Sequence, residues 1–518
     1  MSSTTLRWSI VGAAILFVGG CSGSDGSGAT PARRLHPVID RVARNQPGRS
    51  TVSLDPKCQA SAPPTATGRP EPLGLHLLWD AKVGVNRFSS PTIADLDGDG
   101  ALDVVVAGGV QNKTGSVTAL AGATGAPLWQ REFPDELYTT PLALRVNTDA
   151  ALDVVVGGRI KDELALDGRT GATLWSLVGV NPGLQTGNAA TGTATATPDI
   201  DGDGTRDLVF TQSGDSGDRD PRPPGLFHFV SGATGHIDFT FVAPDSREVY
   251  SVPTVQADPL GRLVLDLIYG SGGATLPGHL TKIRVPFTGS TPTVPRIWEY
   301  ASEPLGITSA PIVTTGTDGR SDVIATQFEG HALRLAAADG TVCWRTKRLP
   351  GVLPTTAAVG RFAGLAGPGV VVKTLGGQGV LLWLDGRDGR IGAQARVGAE
   401  SWASPLTADL NGDGLDEVIL SAVTDVPPGG FETPSARANT HVLIFDGRTR
   451  RVLIDRVLSG WSSATPTLAD LDLDGHADLL VPHFDRLARF SVQGTQSPST
   501  TVNQYRGPKG DGVVPLVP

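Results

Sequence analysis

Residues 89–106 read SSPTIADLDGDGALDVVV, and this stretch decides the fold. A short apolar strand runs into an acidic, glycine-rich loop, and a strand of β-branched residues leaves it. A second hairpin follows, from Ser116 to Leu120 and from Pro127 to Gln130. The unit therefore predicts four short strands, with glycine at the turns that need a positive φ.

The same unit recurs along the chain from Leu73 to Val492. Its period is roughly 50–60 residues, which is typical of propeller blades with four strands each. One interval, between Asp322 and Glu417, is nearly twice as long and contains a unit whose loop has degenerated. Eight units in series predict an all-β fold, an eight-bladed β-propeller. The carboxylates that close the acidic loops and mark the period are Asp103, Asp153, Asp207, Asp266, Asp322, Glu417 and Asp478.

The two ends of the repeat array predict how the ring closes. The last unit stops after its third strand, residues 487–492, and lacks the strand that should end in Trp. Residues 75–83, LHLLWDAKV, are an orphan copy of that strand in front of the first unit. We therefore expect residues 75–83 to complete the eighth blade, which removes open sheet edges. The Trp that ends the second hairpin predicts packing between neighbouring blades, at Trp129, Trp175, Trp298 and Trp344.

The N-terminus predicts export and anchoring. Residues 1–20 have a positive charge at Arg7, an apolar run and small residues, as a lipoprotein signal peptide does. The pair of glycines before Cys21 resembles a bacterial lipobox, which implies lipidation of Cys21; an ordinary signal peptide with an incidental cysteine is the alternative. Residues 21–72 predict a flexible tether, 73–493 the propeller, and 494–518 a C-terminal tail that packs weakly or not at all.

Composition excludes several classes of protein. Charged residues make up 18% of the 518, the net charge is −9 and no basic run occurs, so nucleic acid is not an expected partner. The 66 glycines argue against a helix-rich protein. Besides Cys21 the chain has only Cys58 and Cys343. In an oxidising compartment these two can form a disulfide, and two free thiols are the alternative.

Four of the loops carry oxygen ligands at alternate positions, the pattern that calcium prefers. Positions 1, 3, 5 and 9 carry side-chain oxygens, position 7 can offer a backbone carbonyl, and glycine at position 6 allows a sharp turn. So many like charges repel unless a cation screens them. The loops therefore predict about four calcium ions. The ligand sets are Asp95, Asp97, Asp99, Ala101 and Asp103; Asp199, Asp201, Asp203, Thr205 and Asp207; Asp409, Asn411, Asp413, Leu415 and Glu417; and Asp470, Asp472, Asp474, His476 and Asp478.

The other four loops depart from this pattern, and we expect no calcium in them. In blade 2, Arg145 could place a guanidinium where the ion would sit. Blade 4 has Leu260 and Arg262 between its two acids, blade 5 keeps only two acids, and blade 6 has none. In blade 7, Asp416 stands next to Glu417, which leaves open the carboxylate that binds.

These motifs resemble two related families of propeller repeat. The acidic loops resemble FG-GAP (VCBS-type) repeats, as in the head of integrin α-subunits. The Gly-x-Thr-Gly-x-x-Leu-Trp turns at 122–129 and 168–175 resemble PQQ-like repeats. Those repeats build quinoprotein dehydrogenases and the propeller lipoprotein of the BAM complex. The resemblance covers about residues 73–493 and implies fold and calcium, but a fold does not fix an activity.

The predicted function is a non-catalytic binding or adhesion module of the bacterial outer membrane or cell surface. The expected partner is a protein or a glycan, and a monomer is expected. Aromatic residues start several innermost strands at the end opposite the acidic loops. They either ring one mouth of the central channel as a partner face or pack within the blades. These residues are Phe88, Tyr138, Tyr250, Trp402 and Trp461.

Two other functions stay open. An envelope-assembly scaffold that resembles the BAM lipoprotein fits the lipobox and the eight blades, although that family generally lacks calcium loops. Some polysaccharide lyases resemble a calcium propeller with a basic catalytic residue. Because no cluster of Lys, Arg and His is visible in the sequence, no catalytic residue is nominated. Quinoprotein dehydrogenases typically use a vicinal cysteine pair, which is absent here, so neither PQQ nor haem is expected.

Overall fold

The computed structural model describes residues 65–496, apart from short gaps, together with 39–40, 51–52, 58 and 513–515. The gaps are 161, 183, 185–191, 215–222, 259, 288–293, 317–318, 377–378, 399–400 and 427–434. Within the described residues, no helix is both long enough and apolar enough to cross a membrane. Three strands precede the first blade: β1 (Ile39–Asp40), β2 (Thr51–Val52) and β3 (Gly74–Lys82).

The first four blades are antiparallel sheets of four strands that follow one another along the chain. Blade 1 contains β4 (Thr92–Ala94), β5 (Asp103–Val110), β6 (Thr114–Ala121) and β7 (Pro127–Phe133). Blade 2 contains β8 (Leu142–Leu144), β9 (Asp153–Gly157), β10 (Glu163–Leu166) and β11 (Thr173–Ser176), followed by the short helix α1 (Leu177–Val180). Blade 3 contains β12 (Thr195–Ala196), β13 (Leu208–Gln212), β14 (Leu226–Val230) and β15 (Ile237–Val242). Blade 4 contains β16 (Thr254–Ala257), β17 (Val264–Gly270), β18 (Gly278–Pro286) and β19 (Arg296–Ser302).

The other four blades follow the same order, and a further short strand comes after them in the chain. Blade 5 contains β20 (Ile312–Thr315), β21 (Ser321–Gln327), β22 (His331–Ala336) and β23 (Val342–Arg345). Blade 6 contains β24 (Ala358–Gly360), β25 (Gly369–Lys373), β26 (Val380–Leu384) and β27 (Ile391–Arg396). Blade 7 contains β28 (Leu406–Ala408), β29 (Glu417–Thr424), β30 (Asn439–Phe445) and β31 (Val452–Ser459). Blade 8 contains β32 (Thr467–Ala469), β33 (His476–His483) and β34 (Arg486–Gln496), and the last strand is β35 (Val513–Pro515).

Burial explains the residue pattern of each strand. The second and third strands of a blade lie between two neighbouring blades, so both of their faces are apolar; in β6 every residue from the second to the seventh is buried. Outer strands such as β31 alternate between half-buried and exposed residues, because one face meets solvent. The apolar clusters join adjacent blades, as where Val105 of blade 1 packs with Val154 of blade 2. The eight blades form a ring, which confirms the predicted eight-bladed β-propeller.

The ring closes as the orphan strand predicts. The strand β3 pairs antiparallel with β34 over its whole length, from Gly74 opposite Gln493 to Lys82 opposite Arg486. The last blade thus takes three strands from the end of the array and one from its beginning. Polar contacts support this pairing, because the Asp80 carboxylate lies 3.0 Å from both His483 Nε2 and Arg486 Nε.

Five tryptophans each link their own blade to the following blade. In every case the indole Nε1 donates a hydrogen bond to a turn carbonyl of the following blade, and the ring covers a positive-φ glycine of that turn. For Trp344 the acceptor is the Gly386 carbonyl, at 2.8 Å. The predicted packing between blades is therefore correct, and Trp79 of β3 extends it across the ring closure. The other acceptors are the carbonyls of Gly122 for Trp79, Gly168 for Trp129, Gly232 for Trp175 and Ala337 for Trp298.

The segment predicted to be a free tether contacts the propeller where the structure describes it. The strands β1 and β2 pair with the outer strands β27 and β23. A disulfide joins Cys58 to Cys343, with the two Cα atoms 5.1 Å apart. The sequence left the pairing of these two cysteines open, and the structure contains the bond. Outer strands have an unpaired backbone edge, which explains why extended pieces of the same chain can dock there.

The C-terminal tail also differs from its expectation of weak packing. The strand β34 continues to residue 496, and β35 pairs in parallel with β20, the innermost strand of blade 5. The register places Val513 opposite Val313 and Pro515 opposite Thr315. The backbone edge of an innermost strand faces the central channel, where it can accept another strand. The last described residues of the chain therefore lie against an innermost strand.

Candidate functional site

The acidic loop of blade 1 folds its first three carboxylates together. Asp95 accepts hydrogen bonds from the amides of Gly98 and Gly100, at 2.7 and 3.1 Å. Asp97 accepts a hydrogen bond of 3.0 Å from the Asp99 amide. One oxygen from each of the three carboxylates lies within 4.8 Å of the others. Since calcium binds oxygen at about 2.3–2.6 Å, three oxygens at this separation can contact one ion.

Blade 3 repeats this geometry with the same residue types. Asp199 accepts from the amides of Gly202 and Gly204, at 2.7 and 2.9 Å. These glycines have φ values of 83° and 92°, which side-chain-bearing residues rarely adopt. Oxygens of Asp199, Asp201 and Asp203 again lie within 4.8 Å of one another. A second group in this blade joins Asp201, Asp207 and Asp238. The donor set is therefore all oxygen and fits a hard cation.

Position 7 closes the loop through its backbone. In each of the four loops its amide donates to the carboxylate at position 5, which completes a series of turns stabilised by aspartate side chains. The sequence predicts that the carbonyl of position 7 could contact the ion. The hydrogen bonds donated by the position 7 amides place this residue at the edge of the loop. The four pairs are Ala101 with Asp99 at 2.7 Å, Thr205 with Asp203 at 2.7 Å, Leu415 with Asp413 at 2.9 Å, and His476 with Asp474 at 2.7 Å.

The carboxylate at position 9 ties the loop to the core of its blade. Asp103 is buried and accepts a hydrogen bond of 3.0 Å from the Leu96 amide, and burial raises its pKa to about 6. Glu417 does the same with the Leu410 amide at 2.9 Å, and burial raises its pKa to about 8. Asp416 instead accepts from the Arg361 amide of blade 6. Glu417 therefore occupies in blade 7 the place that Asp103 occupies in blade 1.

The loop of blade 7 is covered by the chain that precedes the propeller. The amides of Thr67 and Gly68 donate to the Asp413 carbonyl, at 2.8 and 3.2 Å. Arg448 Nε donates to the Asp413 carboxylate at 3.0 Å. A guanidinium thus already balances one of the carboxylates of this loop. A cation at this loop would have to compete with that guanidinium.

In blade 8 an arginine reaches into the predicted calcium site itself. Arg489 Nη2 lies 2.6 Å from the Asp472 carboxylate and 2.7 Å from that of Asp478. One oxygen from each of Asp470, Asp472 and Asp478 still lies within 4.8 Å of the others. The guanidinium comes from β34, the third strand, so the loop sequence alone gave no sign of it. Its charge opposes a metal ion at this place.

Basic residues also occupy the loops that lack the calcium pattern. In blade 2, Arg145 donates to the carbonyls of Asp149 and Ala150, as the sequence suggested. In blade 5, Arg334 pairs with Asp322 at 2.7 Å. Arg334 and Arg489 hold the same place in their blades, directly opposite the tryptophan of the outer strand. Blade 1 has the small Ala119 there. In blades 5 and 8 the arginine at this place therefore brings a guanidinium to the carboxylates of the loop.

The end of the central channel that lies away from the acidic loops contains a cavity of about 200 Å³. Four of the five predicted aromatic residues line it: Phe88, Tyr138, Tyr250 and Trp402. Every blade except the fifth contributes lining residues, and none of the described lining residues is charged. The side chain of Tyr138 is desolvated, which raises its pKa to about 12 and keeps it neutral. The cavity is therefore neutral and combines aromatic and hydroxyl groups.

The fifth aromatic residue, Trp461, does not line this cavity. Its side chain is buried in an apolar cluster with Leu375, Val423 and Ala438. Its ring meets Phe88 edge to face, with the ring centroids 6.3 Å apart. The prediction of a partner face is therefore wrong for Trp461, because the indole fills the space between blades instead. The alternative reading of these five residues was packing within a blade, whereas the apolar cluster around Trp461 joins residues of blades 6 and 7.

A belt of hydroxyl groups surrounds the cavity, and the sequence reading missed it. Backbone amides of one innermost strand donate to hydroxyls of the next, as from Thr356 to Ser404 at 3.1 Å and from Ser404 to Thr465 at 3.0 Å. The recurring Ser/Thr next to Pro at the start of these strands is the signal that could have revealed the belt. Thr356 Oγ1 lines the cavity, is buried and has no hydrogen-bond partner among the described residues.

Curated relatives match a part of the chain. It is 30% identical over 177 residues to protein FAM234B of Gallus gallus, a match that covers 32% of this chain and 27% of that protein. The human and mouse FAM234B proteins are 30% identical over 178 residues, with the same shares. The chain thus spans little more than a quarter of the length of these relatives. The chain matches no protein-family model.

Solved structures share the fold at low sequence identity. Quinohemoprotein alcohol dehydrogenase ADHIIG of Pseudomonas putida HK5 superimposes with a TM-score of 0.52 at 13% identity, over 82% of this chain and 78% of that one. The quinohemoprotein alcohol dehydrogenase of Comamonas testosteroni gives a TM-score of 0.49 at 12% identity, with the same shares. BamB of Moraxella catarrhalis gives 0.47 at 12%, over 82% and 99%. The likeness to the Pseudomonas putida enzyme, at a TM-score of 0.52 and 13% identity, shows the fold and nothing of the activity.

Proposed function

We propose that this chain is a calcium-stabilised, non-catalytic β-propeller that binds a neutral glycan at the channel mouth. The cavity lined by Phe88, Tyr138, Tyr250 and Trp402 carries this proposal. Aromatic side chains offer flat apolar faces, and the surrounding hydroxyls offer donors and acceptors without charge. A sugar presents the complementary combination of apolar ring faces and hydroxyls. At about 200 Å³ the cavity is smaller than a typical ligand pocket of about 300–1,000 Å³, so it suits a single sugar unit of a chain.

Truncation of the aromatic residues that line the cavity at the channel mouth should abolish most glycan binding. We expect Trp402→Ala and Tyr250→Ala each to weaken affinity by at least about tenfold, since truncating a buried aromatic anchor removes about 2 kcal/mol or more. The measurement is binding to an array of neutral oligosaccharides, followed by calorimetry on the best sugar. Phe133→Ala, on an outer strand away from the mouth, is the matched control. If the wild-type protein binds no neutral oligosaccharide, the glycan proposal fails.

Calcium is proposed for the acidic loops, with unequal strength. The loops of blades 1 and 3 each bring three aspartate oxygens to within 4.8 Å of one another. Arg448 in blade 7 and Arg489 in blade 8 compete with an ion for the same oxygens. Two tighter and two weaker sites therefore make up the proposed four. The ions would fix the loops of one face and leave the opposite mouth for the ligand.

The proposed location is the bacterial outer membrane or cell surface, through a lipid on Cys21, which lies outside the described residues. The lipobox-like sequence before Cys21 supports the proposal. Cys21→Ser should release the protein from the membrane fraction and abolish incorporation of labelled palmitate. Cys58→Ser/Cys343→Ser, which removes the disulfide and keeps Cys21, serves as the control. Palmitate labelling that persists in Cys21→Ser would contradict the proposal.

A further inference from the structure

The channel-facing edge of β20 carries an extra strand that comes from the far end of the sequence. The strand β35 pairs with β20 in parallel, with Val513 opposite Val313 and Pro515 opposite Thr315. Among the described residues, the innermost strands of the other seven blades have no further strand on this edge. Blade 5 therefore holds, inside the channel, one strand more than its repeat supplies.

This pairing lies deeper in the channel than the cavity at the mouth. In blade 4 the cavity is lined by Val252, which stands just before the proline that precedes β16. Ala310 holds the matching place in blade 5. Pairing with β35 begins at Val313, which at about 3.3 Å per residue is roughly 10 Å further towards the acidic loops. The paired edge is therefore separate from the cavity and does not depend on the function proposed for it.

Blades 4 and 5 have the longest innermost strands of the described ring. The strands β16 and β20 have four residues each, whereas those of the other blades have two or three. Cα atoms of β35 also come within 8 Å of β16. Each further extended residue adds backbone groups to the edge, and such an edge is a template for another strand. The length of these two strands therefore favours docking in this part of the channel.

Contacts from blade 4 reach the chain just before β20 begins. Ser251 Oγ donates to the Ser309 carbonyl at 2.9 Å, and Thr254 Oγ1 donates to the Pro311 carbonyl at 2.5 Å. Both acceptors precede the first residue of β20. Side-chain hydroxyls thus join the two blades near the mouth, and deeper in the channel β20 pairs with β35.

The pairing of β35 is short enough to open while the ring stays folded. Only three residues pair, and Pro515 has no N–H to donate. Each backbone hydrogen bond adds little net free energy, because water replaces it when it breaks. Since residues 497–512 join β34 to β35, docking is intramolecular, which favours β35 over a free peptide at low concentration.

We infer that the channel-facing edge of β20 is an acceptor site for one extended peptide strand, and that β35 of the same chain occupies and blocks it. A peptide that extends a sheet is held mainly by its backbone hydrogen bonds. Two valines followed by proline, as at residues 513–515, favour the extended chain that such a site needs. A free strand of this kind binds only when β35 has left the edge.

Hydrogen exchange on the full-length protein tests whether β35 covers this edge. Val513→Pro/Val514→Pro leaves three prolines in a row without an amide donor, so the channel-facing amides of β20 should exchange at least about tenfold faster. Val513→Thr/Val514→Thr keeps the amides and the strand preference and should stay within about threefold of the wild type. Unchanged exchange in β24, the innermost strand of blade 6, shows that the ring is intact. Equal exchange of β20 in the wild type and the proline variant would overturn the inference.

Two further measurements complete this test. Val513→Gly/Val514→Gly weakens the strand without proline and covers the case in which the proline variant does not fold. Wild-type protein is also compared over a roughly fiftyfold range of concentration, because a strand supplied by a second copy would leave β20 on dilution. Protection that stays constant supports β35 of the same chain as the occupant. Protection that falls on dilution would overturn that assignment.

A synthetic peptide tests whether the vacated edge accepts another strand. The peptide DGVVPLVP has the sequence of residues 511–518. At millimolar concentration it should slow exchange of the same β20 amides in the proline variant by at least about fivefold, and the control peptide DGPPPLVP should not. With a fluorescent label it should bind the proline variant at least about fivefold more tightly than the wild type, where β35 competes. No protection of β20 by DGVVPLVP, or equal binding to the two proteins, would overturn the inference.

Discussion

Chelation of calcium should lower the melting temperature of the protein by about 10 °C. A ligand that binds only the folded state stabilises it by about 2.7 kcal/mol when its concentration is 100 times its dissociation constant. Two such sites, in blades 1 and 3, contribute roughly 5 kcal/mol, and each kcal/mol corresponds to about 2–4 °C in a domain of moderate size. Chelation also leaves the clustered aspartates unscreened, which adds repulsion to the loss of the ligand. The measurement is thermal unfolding in millimolar calcium and in EGTA.

Loop variants separate this effect from a general loss of stability. Asp97→Asn and Asp201→Asn should each lower the melting temperature in calcium, because each removes a charged ligand oxygen. In EGTA the same changes should be neutral or slightly stabilising, because they relieve repulsion within the loop. Asp472→Asn is the contrasting case, because Arg489 Nη2 lies 2.6 Å from that carboxylate. That variant should lose stability in both conditions. Equal melting curves with calcium and with EGTA would refute the calcium proposal.

The sequence predicts the features that one repeat contains within itself. The acidic loop, the turn glycines and the tryptophan of the outer strand lie within a single unit, so their spacing appears directly in the chain. The closure of the ring by β3 is also predictable from the sequence. The last repeat lacks one strand and an unassigned copy of that strand precedes the first repeat, so the two are expected to pair. These local patterns give the eight blades and the packing of the tryptophans between them.

Contacts between residues on different strands cannot be predicted from the pattern within one repeat. Arg489 stands eleven residues after Asp478 in the chain, yet the pairing of β33 with β34 brings its guanidinium to 2.7 Å from that carboxylate. Lys282 likewise stands sixteen residues after Asp266, yet the pairing of β17 with β18 brings its Nζ to 3.0 Å from that carboxylate. Trp461 stands five residues before the proline that precedes its innermost strand, whereas the four aromatic residues of the mouth stand three residues before theirs, and its side chain packs into an apolar cluster. Side-chain direction and register, rather than residue type, decide these three cases.

Replacement of Trp344 by alanine should destabilise the propeller by about 3–5 kcal/mol, the usual cost of removing a buried aromatic side chain. The side chain is 0% exposed at the boundary of blades 5 and 6. Its ring lies so close to Gly389 that a Cβ atom there would be 2.7 Å from Cε3. Alanine leaves that space empty and removes the hydrogen bond to the Gly386 carbonyl. Urea unfolding measures the loss.

Two further variants identify the source of this energy. Trp344→Phe keeps much of the ring and should lose only about 1–2 kcal/mol, since Arg334 Nη1 still donates to the Gly386 carbonyl at 2.9 Å and prevents an unpaired acceptor. Leu453→Ala, at an exposed position of an outer strand, should stay within about 0.5 kcal/mol of the wild type. A loss below about 1 kcal/mol in Trp344→Ala would mean that the blade boundary does not depend on its tryptophan. If the loss is as large as expected, the cooperativity of the ring rests on contacts between blades as much as on the sheet within each blade, because this side chain belongs to one blade and packs on the next.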